Sequence, residues 1–154
     1  MSKTNAYETA LHELIFQNDA SAALLAAIGD DGLSGSTTDD FFYISLHTST
    51  PGEGGSQDSN EVDVAGYGEY SRQAIARSTG GWTVSGDTCS NAADTTWTQM
   101  ATGTGNVIVT HFGVGTNPSG AGQLLHVGTV TPNMVINVGI TPRFPAGDLD
   151  ITED

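Results

Sequence analysis

Basic side chains are the scarcest class in this sequence. Lysine and arginine together number 4, against 18 acidic residues, which gives a formal net charge of −14. Binding to nucleic acid requires basic groups that neutralise phosphates, and anionic membrane surfaces attract basic segments. The composition therefore argues against both partners, and we expect a protein that binds neither nucleic acid nor membrane.

Cysteines and long apolar runs are also scarce. The single Cys89 excludes an internal disulfide, and we expect this thiol to be buried rather than reactive. The longest apolar run, residues 22–28, falls far short of the roughly 20 residues that a membrane-spanning helix needs. The first residues lack the apolar core of an export signal. We expect a soluble protein that forms a single domain over residues 1–154.

The first 28 residues have a helical pattern. Apolar residues recur at helical spacing, which predicts an amphipathic helix that begins after an N-cap at Thr4 or Asn5. A second short helix is predicted over residues 21–28, followed by a polar loop over residues 29–40. The predicted apolar face of the first helix consists of Tyr7, Ala10, Leu11, Leu14 and Ile15.

From residue 41 onward the sequence has the pattern of strands and turns. Short β-type segments recur about every 8–12 residues between turns rich in Gly, Pro and Asn. This spacing predicts a mainly β fold over residues 41–154, a β-sandwich or jelly roll, rather than alternating βαβ units. A long polar loop spans residues 48–68. The predicted strands are 41–46, 70–77, 82–84, 95–100, 106–114, 123–127 and 134–140, with 144–151 closing the chain.

No motif in the sequence predicts catalysis or a cofactor. The histidines at positions 12, 47, 111 and 126 do not have metal-ligand spacing, and we expect them to be hydrogen-bonded in or near the core. A cross-strand meeting of His111 with His126 stays open. Residues 58–69 have oxygen ligands at alternate positions, as calcium loops do, but lack the glycine at the sixth position. We favour a solvated acidic loop there over a calcium site.

Four aromatic residues raise the question of a carbohydrate-binding surface. Trp82, Trp97, Tyr67 and Tyr70 could together form a platform on which sugars stack. Strand alternation instead directs Trp97 into the interior, and buried aromatics dominate the cores of small β-domains. We favour the core interpretation.

Several segments, in order along the chain, resemble a family of small virion proteins of tailed bacteriophages. The resemblance begins with the amphipathic helix of residues 4–16, continues with residues 43–52 and Asn60-Glu61, and extends over residues 68–74. It covers most of the chain apart from residues 18–40. The later segments that carry it are residues 91–92, 108–113, 122–128 and 144–149.

The resemblance implies a structural protein of the virion, with no catalytic residues to transfer and thus no enzymatic activity. The leading hypothesis is a homo-oligomeric capsid decoration (cement) protein that binds and stabilises the major capsid protein at the capsid surface. The alternative is a tail or tail-fibre component with a receptor- or glycan-binding role.

The same resemblance singles out a structural motif around the long loop. We expect Arg72 and His47 to bond loop carbonyls and to hold residues 48–68 in place. That loop, or the N-terminal helix, would then be the natural contact arm for a partner. The motif consists of Leu46, His47, Thr48, Pro51, Tyr70, Arg72 and Gln73.

Overall fold

The computed structural model describes residues 4–18 and 41–152. Within them a helix, α1 (Asn5–Phe16), precedes nine strands, so the predicted mainly β class with an N-terminal helix is confirmed. No helix in these two ranges has the length and apolar character needed to cross a membrane. The strands are β1 (Phe41–His47), β2 (Gln73–Ala76), β3 (Trp82–Ser85), β4 (Thr88–Asn91), β5 (Thr95–Thr96), β6 (Val107–Gly115), β7 (Leu124–Ile136), β8 (Arg143–Phe144) and β9 (Ile151–Thr152).

The chain divides into two compact units, which are described separately. Unit 1 comprises the described parts of residues 1–41, 75–94 and 145–154. Unit 2 comprises residues 42–74 and 95–144. The expectation of one domain over the whole chain stays a prediction. The predicted second helix and the polar loop that follows it lie outside the described residues.

In unit 1, α1 packs through a face that differs from the predicted one. The side chains of Glu8, Ala10, His12 and Phe16 are buried, whereas Tyr7 is 46% exposed. Phe16 accounts for the difference, because its ring packs on the buried Trp82 with the centroids 4.8 Å apart, and one turn earlier His12 stacks edge-on against Phe16. Contact with a large buried ring therefore sets the orientation of the helix.

The sheet of unit 1 is small and has the order β3-β4-β9. β3 and β4 form a hairpin with Ser85 opposite Thr88, and Gly86 in the turn has a φ of 66°, which favours glycine. The sequence did not predict β4, since its residues Thr-Cys-Ser-Asn are small and polar. It forms because Cys89 is buried opposite Ile151 of β9.

Unit 2 contains two antiparallel sheets that share a core. The larger sheet has the order β2-β1-β6-β7, with β2 beginning in this unit, and the smaller sheet pairs β5 with β8. Phe144 of β8 packs on Phe112 of β6 at a centroid distance of 5.9 Å and on Trp97 at 5.6 Å. This aromatic layer between sheets is consistent with the predicted sandwich.

β7 corrects the prediction of two strands over residues 123–127 and 134–140. A single strand runs from Leu124 to Ile136 because β6 pairs with both of its ends, with a shift of register between Val109 and His111. Residues 137–140 form a turn instead, in which the amide of Ile140 donates to the carbonyl of Asn137. The apolar face predicted over residues 134–140 is therefore wrong, and Val138 is 61% exposed.

Three other predicted strands are shorter in the structure. The one predicted over residues 70–77 is β2, and the one over 95–100 contains only β5 as regular strand. Residues 97–100 remain extended beside other segments, since the amide of Trp97 donates to Pro142 and that of Met100 to Ile140. The closing stretch 144–151 contains a turn between β8 and β9.

The environment of Cys89 predicts an unreactive thiol. Its side chain is fully buried, and burial raises the pKa of the thiol to about 12. Because the thiolate is the reactive form, an aromatic disulfide reagent at about pH 8 should release almost no chromophore from the native protein. The same protein in guanidinium chloride should release one equivalent. Rapid stoichiometric release from the native protein would contradict the buried position.

Candidate functional site: a clamp on the long loop

The long loop after β1 returns to the strand from which it leaves. Glu61 lies opposite His47 in an antiparallel bridge. The amide of Val62 donates to Leu46 and that of Thr48 to Asn60, each over 2.9 Å. The second half of the loop therefore runs alongside the end of β1, which brings its side chains to the segment that precedes β2.

An arginine and a glutamate form the centre of this arrangement. Arg72 Nε donates to Glu61 Oε1 and Arg72 Nη2 donates to Glu61 Oε2, both over 2.7 Å. The Arg72 side chain is 2% exposed and that of Glu61 is 15% exposed. Burial lowers the pKa of Arg72, but the hydrogen bonds and charge of Glu61 outweigh this effect and raise it. The pair is thus a bidentate, largely desolvated ion pair.

The same guanidinium also binds a second loop. Arg72 Nη1 donates to the carbonyl of Asn117 over 2.9 Å, and Nη2 donates to that of Gly120 over 2.7 Å. Both carbonyls belong to the connection between β6 and β7. One buried side chain therefore fixes the long loop and the β6–β7 connection together.

Tyr70 donates a third hydrogen bond to the same carboxylate. Its hydroxyl donates to Glu61 Oε1 over 2.7 Å and accepts from the amide of Leu46 over 3.0 Å. Burial, together with the charge of Glu61, raises the pKa of Tyr70 far above its ordinary value. The phenol therefore stays a neutral donor to Glu61 at any physiological pH.

His47 holds the middle of the loop from inside the sheet. Its Nδ1 lies 2.9 Å from the carbonyl of Ser59, and its Nε2 lies 2.8 Å from Ser45 Oγ. Burial lowers the pKa of His47 below its ordinary value, and the charges of Arg72 and His111 lower it further. The Ser59 carbonyl and the charge of Glu61 raise the pKa, but they do not outweigh the burial. We call the side chains of His47, Glu61, Tyr70 and Arg72 the loop clamp.

Gln57 is a buried residue of this site that the sequence did not single out. Its amide nitrogen donates to the carbonyl of Tyr43 over 3.2 Å, and its Oε1 accepts from the amide of Asn117 over 2.9 Å. A Cβ at Gly115 or Gly122 would collide with the Gln57 side chain. These glycines therefore allow a polar side chain of the loop to fill the space above the sheet.

The other motif residues have smaller roles in the contacts. Leu46 is fully buried in the core, whereas Thr48 is exposed and bonds only Asn60 of the same loop. Pro51 is half-buried, and the side-chain amide of Gln73 donates to the carbonyl of Ser71, two residues earlier. The function of the motif as a whole stays a prediction.

The acidic residues of 58–69 face protein donors rather than one another. Glu61 binds Arg72, and Asp63 Oδ1 accepts from the amide of Gly66 over 2.7 Å. Glu69 accepts from the amides of Ala101 and Thr102, and these bonds lower the pKa of its carboxyl group. The carboxylates thus bind separate segments instead of converging as calcium ligands would.

The histidines do not form the arrangement that the sequence left open. His111 lies opposite Thr129, whereas His126 lies opposite Val114, so the two are not cross-strand partners. His111 instead faces His47 on β1. Over residues 4–18 and 41–152, no three His, Cys, Asp or Glu side chains are grouped closely enough to hold a metal.

The aromatic residues considered for sugar binding belong to the cores of their units. Trp82 and Tyr67 are fully buried and Trp97 is 2% exposed. The Tyr67 hydroxyl donates to the carbonyl of Thr98, and the Tyr70 hydroxyl belongs to the loop clamp. The core interpretation is confirmed, and a sugar platform made of these rings is wrong.

A groove borders the clamped loop. It has a volume of about 590 Å³ and lies between residues 50–55 of the loop and residues 124–129 of β7, with His111 in its wall. Glu53 provides a carboxylate at the rim, and Leu125 and Val127 provide apolar surface. The clamped loop therefore forms one wall of this groove.

Comparison with known families identifies the class of protein. The chain is a structural protein of a bacteriophage virion, as the resemblance to phage virion proteins predicted. It belongs to the family described as podophage GP4 fiber I protein gp80, whose model matches residues 19–152. No curated protein matches the chain.

Removal of the Arg72 side chain should strongly destabilise the fold. Arg72→Ala leaves the Glu61 carboxylate and two loop carbonyls without their donor, and breaking a buried ion pair costs about 3–5 kcal/mol. Chemical denaturation measures the free energy of unfolding. Glu53→Ala, which removes an exposed charged side chain of the same unit, should cost about 0.5 kcal/mol or less. Equal stability of Arg72→Ala and the wild type would contradict the clamp.

His47 should make the stability depend on pH. Because its pKa is lower in the folded state, its contribution is complete above about pH 6.5 and is lost as the pH falls through the folded pKa. The variant His47→Gln keeps an amide at the site but cannot titrate. The stability advantage of the wild type over this variant should shrink between about pH 7.5 and about pH 5. Parallel stability curves over that range would exclude the titration of His47 as the cause.

Proposed function

We propose that this protein is a fibre component of the phage particle. The observation that carries the proposal is the match of residues 19–152 to a family described as a fiber protein. That description favours a tail or tail-fibre component over the leading hypothesis, a capsid decoration protein. Binding to the major capsid protein stays a prediction.

The loop clamp supports a role that depends on fixed protein surfaces. A fibre works by holding subunits in a defined geometry, which requires that the contact loops do not move. Arg72 joins the long loop to the β6–β7 connection through four hydrogen bonds of 2.7–2.9 Å. Loops that are held by such hydrogen bonds can contact a partner without losing conformational entropy on binding.

The role that we propose is assembly rather than sugar recognition by aromatic rings. The four aromatics that could have stacked on a glycan are committed to the cores or to the clamp. The strongly acidic composition of the chain favours its solubility and suits contact with water away from packaged DNA. A structural role needs no cofactor, and we propose none.

The location of the protein on the particle tests this proposal. Purified virions are disrupted gently, heads are separated from tails and fibres, and this chain is quantified by mass spectrometry against the major capsid protein. We expect a few copies per particle in the fraction that contains fibres. Copies with the heads in numbers comparable to the major capsid protein would overturn the fibre proposal and establish capsid decoration.

A further inference from the structure

The hydrogen bonds around His47 fit the neutral form of its ring. A carbonyl oxygen can only accept, so the Ser59 carbonyl, 2.9 Å from His47 Nδ1, fixes the proton of the neutral ring on that nitrogen. The other ring nitrogen, Nε2, then accepts from Ser45 Oγ over 2.8 Å. Protein groups thus satisfy both nitrogens of the neutral imidazole.

The space around Nε2 is filled by protein atoms. His47 and Ser45 are both 0% exposed. Gly113 lies opposite Ser45 in the sheet, and a Cβ at this glycine would lie 2.7 Å from Ser45 Oγ and 2.8 Å from His47 Nε2. A charged imidazole in this position would be held away from solvent, which disfavours the charge.

Protonation of the ring would also disturb its hydrogen bonds. Nε2 would change from an acceptor to a donor, so the Ser45 hydroxyl would have to accept and direct its own proton elsewhere. The carbonyl of Gly113 lies 3.4 Å from Ser45 Oγ, which makes a long and weak hydrogen bond. The bond from Nδ1 to the Ser59 carbonyl survives protonation, so the cost falls on the Ser45 side of the ring.

The charges that face His47 do not compensate an added proton. From the loop, Glu61 favours the charged ring, but both of its oxygens already accept from Arg72. Arg72, which precedes β2, and His111 on β6 oppose the charge. The β7 side chain beside this cluster is the uncharged Leu124. Because the pair of Arg72 and Glu61 is neutral as a whole, an imidazolium would add an unbalanced positive charge.

The long loop is the part of the molecule that separates His47 from water. Alternate residues of a strand point to opposite faces, so His47 lies on the face of β1 opposite to the core residue Leu46. On that face the loop covers the strand, since Ser59 contacts the His47 ring and the Gln57 side chain donates to a carbonyl of β1. Solvent can therefore reach the ring only if this part of the loop moves away from the sheet.

The segment that would have to move is bounded on both sides. Residues 48–60 lie between the end of β1 and Glu61, which Arg72 holds. The bonds of Gln57 that keep the segment on the sheet are neutral, and such bonds exchange for bonds to water at a modest cost. Residues 50–55 of the same segment form the wall of the groove.

We infer that a proton on His47 releases residues 48–60 from the sheet, so that the wall of the groove opens in mildly acidic surroundings. In the released state water solvates the imidazolium, while Arg72 continues to hold Glu61 and the second half of the loop. A contact that includes residues 50–55 therefore weakens as the pH falls. The inference concerns a movement within unit 2 and does not rest on the fibre assignment.

Hydrogen exchange of the whole chain at about pH 7.5 and about pH 5, corrected for the intrinsic exchange rate at each pH, tests the release. The amides of Thr48 and Gln57 report it, because both are hydrogen-bonded in the closed loop. Their protection should fall several-fold at the lower pH. The limit is about thirty-fold, the ratio by which an ordinary imidazole with a pKa of about 6.5 favours the released state at about pH 5.

The hairpin of β3 and β4 in unit 1 provides the internal control of this experiment. It should keep its protection at both pH values, because the release is local. Unchanged protection of Thr48 and Gln57 would overturn the inference. An equal loss of protection in the hairpin would overturn it as well, since that result indicates global unfolding.

Two variants distinguish His47 from the other titrating groups. His47→Gln cannot take up a proton, so the protection of residues 48–60 should no longer differ between the two pH values. His126→Gln is the matched control, because it removes a histidine of the groove that lies opposite Val114 rather than beside His47, and it should keep the wild-type response. A response that persists in His47→Gln, or that is lost in both variants, would overturn the inference.

A measurement on the wild type alone covers the case in which His47→Gln does not fold. NMR follows the ring protons of His47 and the amides of residues 48–60 through one pH titration. The amide signals should change with the same midpoint as the ring. Titration of the ring while the loop amides stay unchanged would overturn the inference, because the closed loop would then accommodate the charge.

Discussion

The structure of unit 2 depends on one buried ion pair. Arg72 and Glu61 face each other through two hydrogen bonds of 2.7 Å, in a place where water cannot solvate either charge well. The attraction within such a pair offsets the cost of its desolvation only if the remaining donors and acceptors also find partners. Here they do, because two loop carbonyls and the Tyr70 hydroxyl complete the arrangement. The geometry of the long loop follows from this requirement.

The ion pair also explains how an acidic chain keeps its loops ordered. With 18 acidic residues and 4 basic ones, most carboxylates have no cation available, and like charges repel one another. The chain places Arg72 where it organises two loops and satisfies Glu69 with backbone amides instead. Another arginine, Arg77, donates to the carbonyl of Ile15 at the end of α1. Arg72 and Arg77 thus stabilise loops and the end of a helix.

The sequence predicted the positions of strands better than their extent. β1, β3 and β6 were predicted from their alternating residues. In the structure β3 buries one face, whereas residues 44–47 of β1 and 112–115 of β6 are buried throughout. The length of β7 depends on pairing with β6 at both ends, and β4 depends on the burial of Cys89, which local patterns do not encode. Arg72 and His47 were expected to bond loop carbonyls. Gln57 was missed, since its burial depends on the glycines 115 and 122, which are distant in sequence.

The clamp also fixes the segment that leads into β7. It holds the β6–β7 connection through the carbonyls of Asn117 and Gly120, and β7 begins only a few residues later. A connection held in this way loses little conformational entropy when a partner binds to it, whereas a mobile one would have to be ordered first. The buried charges thus favour specific contacts at these loops, in a chain whose net negative charge opposes unspecific association.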